Sequence, residues 1–90
     1  AAAQVMAEIE THRTSIIFCN TRSLAELIFQ DLWAVNELKL PIGVHHGSLS
    51  IDARRKVEAA MADGRLRALV ATASLDLGVD WGDVDCVIQM

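Results

Sequence analysis

The chain is short of several things that would place it elsewhere. It has no tyrosine and only four aromatic residues, Phe18, Phe29, Trp33 and Trp81, against 52% hydrophobic content. Its core must therefore be aliphatic, which suits helices packed on a parallel sheet. It has two cysteines, Cys19 and Cys86, each inside an apolar run, so they read as buried thiols without disulfide or zinc spacing. No apolar run approaches the length of a membrane span, and the N-terminus has no basic stretch leading into an apolar one. A cytoplasmic protein with no membrane partner is the expectation. An excess of positive charge is missing as well: the net charge is −4, which argues against coating nucleic acid through bulk charge. A few local contacts to one strand are still permitted. The positive residues are bunched, with Arg54, Arg55 and Lys56 consecutive and Arg65 and Arg67 shortly after.

Ninety residues make one domain at most. A chain of that length buries roughly 60–65% of its unfolded surface, enough for a small core. Neither a repeat nor a low-complexity linker divides it. Residues 4–12 read as a helix, with Val5 and Ile9 one turn apart. Ser15–Asn20 is a short buried strand. A second helix follows over residues 22–37, where Leu24, Leu27, Ile28, Leu32 and Val35 keep a helical period. Ser23-x-x-Glu26 is a capping-box pattern at its start, with Asn20 and Thr21 as rival caps. Pro41 blocks its continuation.

Residues 42–46 form the second strand, and Ser50 caps a third helix that Gly64 stops. Residues 67–72 and 84–90 are the third and fourth strands. Strands alternating with helices imply parallel pairing through right-handed crossovers. The fold class is α/β, a three-layer sandwich with expected strand order 2-1-3-4.

The turns that follow the first three strands share a chemistry. They are Asn20-Thr21-Arg22, His46-Gly47-Ser48 and Thr72-Ala73-Ser74. In a parallel sheet all three lie on one edge, each opening a helix N-terminus. Hydroxyls, backbone amides and helix-dipole ends converge there and suit a polyanion crossing several strands. Paired carboxylates for acid–base work are absent from these turns.

Three segments carry a family resemblance, in order and at matching spacing. Ser15-Ile-Ile-Phe-Cys-Asn-Thr-Arg22 resembles motif IV of superfamily 2 helicases. His45-His-Gly-Ser-Leu-Ser50, with Arg54 eight positions after His46, resembles the His-Gly…Arg signature that follows it. Ala71-Thr-Ala-Ser-Leu-Asp-Leu-Gly-Val-Asp80 resembles motif V. The sequence is most similar to the Lhr-type proteins, and within those to the ligase-associated bacterial DNA helicases. The likeness covers nearly everything from Ser15 onward.

The resemblance implies a RecA-like fold of the phosphate-loop NTPase type, here the second RecA-like (helicase C-terminal) domain. It implies that Thr21, Arg22, His46, the Gly47 amide and Thr72 meet phosphates of the tracking strand. Arg54 braces the turn or reaches the nucleic acid, and Gly78 and Asp80 lie at the ATP cleft between two domains. Such phosphate contacts position a strand without reading its bases. ATP and magnesium are the implied cofactors of the parent. Single-stranded DNA, with RNA left open, and a first RecA-like domain are the implied partners, and DNA repair is the implied setting.

The departures are as informative. The chain has no Gly-x-x-x-x-Gly-Lys-Ser/Thr loop, no Asp-Glu-x-His motif and no motif VI arginines. Residues 1–90 are thus expected to be a domain fragment that ends before motif VI, with no catalytic residue and no ATPase activity of its own. With its closing helix absent, the sheet near Val87 and Ile88 is expected to lack cover on one face.

Plainer readings compete at several positions. His45-His46 is expected to hold no metal, because neighbours on a strand point to opposite faces. The acids Asp76, Asp80, Asp83 and Asp85 do not match a calcium loop. Asp83 and Asp85 read as turn residues. Arg54 is placed to pair with Glu58 one turn on. Trp81 reads as packing or as a stacking surface. Two alternatives to a helicase domain are a degenerate RecA-like scaffold and a flavodoxin-like nucleotide- or partner-binding module.

Overall fold

Four short aliphatic runs and three amphipathic ones become strands and helices in the expected alternation. The computed structural model of the protein describes residues 2–46, 50–72 and 84–90. In chain order the elements are α1 (Ala2–Thr11), β1 (Ser15–Phe18), α2 (Arg22–Ala34), β2 (Ile42–His45), α3 (Ile51–Ala62), β3 (Ala68–Ala71) and β4 (Cys86–Gln89). Among the described residues no helix is long and apolar enough to cross a membrane. Every strand pairing is parallel.

The expected strand order is corrected by the structure. The sheet runs β2-β3-β1-β4, not 2-1-3-4. Burial decides the order. All four residues of β3 are buried, as are the first three of β1, so these two strands take the centre. β2 carries Gly43 and His45, and β4 alternates half-buried with exposed residues, so they take the edges. Placing strands by closeness in the chain misses this, because a crossover helix can step over a neighbour.

Alternation of side chains gives the sheet two apolar faces. On one, Val5, Met6 and Ile9 of α1 and Ala25, Ile28 and Leu32 of α2 meet Ile17, Ile42, Ala68 and Val70. On the other, Met61 and Val57 of α3 meet Ile16, Leu69 and Ala71. Ile9, Ile17, Leu32, Met61 and Leu69 are fully buried. Each contributes about 1.5–3 kcal/mol relative to exposure in water. On β4, Val87 is 60% exposed, as expected, while Ile88 packs against the α1 and α2 side.

The helix ends have identifiable causes. Thr21 caps α2: its Oγ1 accepts the Leu24 amide at 3.1 Å. The reciprocal capping box expected at Ser23 and Glu26 does not form, because the residue three past Thr21 is Leu24. The helix ends at Ala34, earlier than the expected 37, through buried Asn36 and not through Pro41. Asn36 donates Nδ2 to the Leu40 carbonyl and accepts the Leu40 amide, both at 2.9 Å, which closes a loop. Ser50 caps α3 by accepting the Ala53 amide at 3.1 Å, and Gly64 ends it at φ 72°, a left-handed conformation that favours glycine. Gly43 sits in a tight place: a Cβ there would lie 3.0 Å from Leu66 Cδ1, so the end of that side chain would have to shift by a few tenths of an ångström.

The amino edge of the sheet is tied by two polar clamps. Arg67 Nη2 donates to the carbonyls of Ile9, Glu10 and His12 at 3.2, 3.3 and 3.0 Å, satisfying the last turn of α1. Asp85 accepts the amides of Arg13 and Thr14, both at 3.0 Å. Those bonds, Arg13 first, hold its carboxyl below the usual aspartate range. Asp85 is thus a structural residue that fixes the start of β4 to the start of β1.

Candidate nucleic-acid interface

The strand register decides whether the three turns can act together. Phe18 and His45 both align with Ala71, and Phe18 aligns with Gln89, so the four strands end level. Pairing extends one residue further at that edge. Cys19 donates its amide to Ala71 at 2.8 Å, Thr72 to His45 at 3.2 Å and Met90 to Phe18 at 2.8 Å. The turns therefore leave the sheet along one rim, as the sequence chemistry requires.

At the first turn, Thr21 and Arg22 are exposed. The Thr21 hydroxyl accepts from Leu24, which leaves its own O–H to donate outward. Arg22 opens α2, where the first amides of a helix have no acceptor within the helix and the dipole favours an anion. One hydroxyl, a guanidinium and helix-terminal amides together make a credible phosphate site.

At the second turn the side chains are committed inward. His45 is 2% exposed and His46 is 4% exposed. His45 Nε2 lies 2.9 Å from Glu58 Oε2 on α3, and His46 Nε2 lies 3.2 Å from Glu26 Oε1 on α2. The two imidazoles thus point to opposite faces of the sheet, as the period of a strand demands. The structure brings His46 to the rim, but its ring braces the rim from beneath. Gly47 and Ser48 lie outside the described residues.

At the third turn, Thr72 is buried and its backbone is bonded to His45. Gly78 and Asp80, expected at the ATP cleft, lie outside the described residues, as do Asp76, Trp81 and Asp83. Arg54 sits in the first half of α3, half-buried. Its Nε is buried and meets no acceptor among the described residues. The expected pairing with Glu58 is replaced by the contact between Glu58 and His45. A desolvated guanidinium N–H near the rim is a group that an anionic ligand would satisfy.

Sequence reasoning missed Glu26 and Glu58 as site residues. Periodicity gave no signal for either: Glu26 read as a cap partner and Glu58 as a partner for Arg54. Both reach histidines on another element. The cysteines are free, and burial pushes the Cys19 thiol up, which keeps it protonated and unreactive. At the amino edge, Glu8, His12 and Cys86 bring donor atoms within 4.8 Å of one another. The His12 Nδ1 there lies 2.7 Å from the Glu8 carbonyl and 3.2 Å from the Thr11 hydroxyl, so the ring closes the end of α1.

With this geometry in place, known proteins can be compared. Residues 1–90 match the family described as helicase conserved C-terminal domain. The ATP-dependent helicase Lhr-Core protein 2 of Thermococcus barophilus is 45% identical over 85 residues, which cover 89% of this chain and 9% of that protein. The Lhr helicase/probable uracil glycosylase of Mycolicibacterium smegmatis is 36% identical, over 91% of this chain and 8% of its own length. The chain therefore spans less than a tenth of these two relatives. Among solved structures, the Mycobacterium smegmatis helicase Lhr bound to ssDNA and AMP-PNP superposes with a TM-score of 0.89. It is 42% identical, over 98% of this chain and 12% of that one. The Pyrococcus furiosus Hef helicase domain, 23% identical over 98% of this chain and 18% of its own, shares the fold with a TM-score of 0.75.

Proposed function

This chain belongs to the helicase conserved C-terminal domain family, of Lhr type, and from that premise we propose that it is one of two strand-gripping domains in an ATP-dependent DNA helicase. In this reading the carboxyl rim of the sheet holds the phosphates of a single tracking strand. The observation that carries it is the level ending of four parallel strands, which lines up Thr21, Arg22, His46 and Thr72 along one edge.

Each group has a distinct task. The Thr21 hydroxyl, the Arg22 guanidinium and the first amides of α2 hold one phosphate. The turn at residues 47 and 48 and the Thr72 turn hold phosphates further along. Arg54 supplies a further N–H from α3. None of these groups reads a base, so the grip slides in register with the backbone whatever the sequence. Residues 78 and 80 belong, in this reading, to the cleft shared with a first RecA-like domain. That domain supplies the phosphate loop and magnesium ligands this chain lacks. Nucleotide bound in that cleft supplies the energy for closing and reopening the two domains. Alternating grip by the two rims then moves the strand one way. The free thiols suit a cytoplasmic setting, and the variant motif V sequence suits a ligase-associated repair helicase.

The flavodoxin-like alternative is disfavoured by one observation. That fold orders its strands 2-1-3-4-5, whereas β3 lies between β2 and β1 here.

The reading is tested in the full-length protein by Arg22→Ala. Binding of fluorescent single-stranded DNA, titrated with salt, should weaken equally on all sequences, with a salt slope lower by about one. An unchanged slope and affinity would contradict it.

A further inference from the structure

The strand order leaves a mechanical problem at the rim. The first turn leaves β1 and the second leaves β2, and β3 lies between those strands. Two strand spacings, roughly 10 Å, separate the carboxyl ends of β1 and β2. No ladder hydrogen bond joins β1 to β2 directly. A phosphate chain spanning both turns needs their spacing fixed, because misplacement by about 1 Å is enough to lose function at a pre-organised site.

Beside the apolar packing of α2 on β2, a polar contact spans this gap at the rim. Glu26 sits one turn into α2, the helix whose start carries Thr21 and Arg22. Its Oε1 lies 3.2 Å from His46 Nε2, at the end of β2. The His46 side chain is 5% exposed and that of Glu26 is 53% exposed, so a buried ring is held by a carboxylate that is still partly solvated. We infer that Glu26 is a positioning residue for the phosphate rim: through His46 it locks the start of α2, with Thr21 and Arg22, to the carboxyl end of β2 across the intervening strand. The inference rests on the nucleic-acid reading of the rim and assigns Glu26 no contact with DNA.

The sign of the charge supports a mechanical role. A carboxylate beside a polyanion-binding edge repels the ligand, so on charge alone Glu26 weakens binding. Its contribution must come from geometry. His45 makes the same kind of contact on the opposite face, where Glu58 of α3 lies 2.9 Å away. Both helices that follow a rim turn, α2 and α3, are thus pinned to the same strand end.

The charge argument also gives a test with opposite outcomes. In the full-length protein, Glu26→Ala, Glu26→Gln, Arg22→Ala and Thr21→Val are compared for binding to fluorescent single-stranded DNA over a range of salt. Positioning predicts that Glu26→Ala binds about three- to tenfold more weakly, the loss expected for one hydrogen bond to a charged group, with an unchanged salt slope. Glu26→Gln, which keeps an oxygen for the His46 N–H, recovers most of that affinity. Binding by Glu26→Ala that is equal to or tighter than the parent overturns the inference. Circular dichroism melting of both Glu26 variants identifies any loss due to unfolding, and Glu26→Gln decides the matter if the alanine variant does not fold. If Arg22→Ala and Thr21→Val also bind normally, the rim reading itself fails and takes this inference with it. If they weaken binding while Glu26→Ala does not, only the role of Glu26 falls.

Discussion

Thr72 donates its amide to the carbonyl of His45 at 3.2 Å, one step beyond the last paired residues of β3 and β2. That bond puts residue 72 beside residue 46 and makes two distant sequence motifs a single edge. The Thr72 hydroxyl is then the group to test. Thr72→Val removes the hydroxyl at nearly unchanged size and should lower affinity for single-stranded DNA about two- to tenfold in the full-length protein, with a thermal melt reading any separate loss of stability at this buried position. The loss should be the same for every base composition, measured by anisotropy. A loss confined to particular sequences would mean that base edges, not phosphates, are being read.

Asp85 predicts a pH dependence at the opposite edge. Its folded-state pKa is depressed by the Arg13 and Thr14 amides. A depressed carboxyl contributes stability above its unfolded pKa and loses it as pH falls through the folded value. Asp85→Asn should therefore be less stable than the parent at neutral pH, with the gap closing as pH drops below about 4. Denaturant melts at pH 7 and at pH 3 check this. An equal gap at both would show that the carboxylate charge is not what holds β4.

Arg67 makes a stability prediction of another kind. The α1 carbonyls of Ile9 and Glu10 and the His12 carbonyl just past the helix lose their donor in Arg67→Ala, and partial burial of the Ile9 and His12 bonds limits replacement by water. The expected loss is about 1–3 kcal/mol, read from urea unfolding. Hydrogen exchange should show faster opening in α1 before the strands. Uniform loss across the fold would count against a local clamp.

Much of this architecture was legible in the chain, because its signals are local. Thr21, Ser50 and Gly64 cap or stop helices through bonds to near neighbours, and the aliphatic runs fix the strands. The strand order was not legible. It depends on which strands are most completely buried, and Gly43 and His45 on β2 were weaker cues than chain proximity. The end of α2 was misplaced because Asn36 closes a loop to Leu40 before Pro41 is reached. At the rim, the exposed Thr21 and Arg22 could be read from the sequence. Glu26 and Glu58 could not, since each meets a histidine on another element and each had a plausible partner close by on its own helix.

The absence of a phosphate loop from the chain makes a further prediction. The isolated 90-residue chain should hydrolyse ATP no faster than buffer, with or without DNA. A rate above background in pure material, abolished by Asp80→Ala, would show that hydrolysis needs less than two domains.

The central claim is spatial, and a cryo-electron microscopy structure of the full-length protein bound to single-stranded DNA tests it most directly. The account predicts backbone phosphates within hydrogen-bonding distance of the Thr21 hydroxyl and along the Thr72 turn, with His46 still seated on Glu26. A strand lying instead across the amino edge, near Asp85 and Arg67, would contradict it.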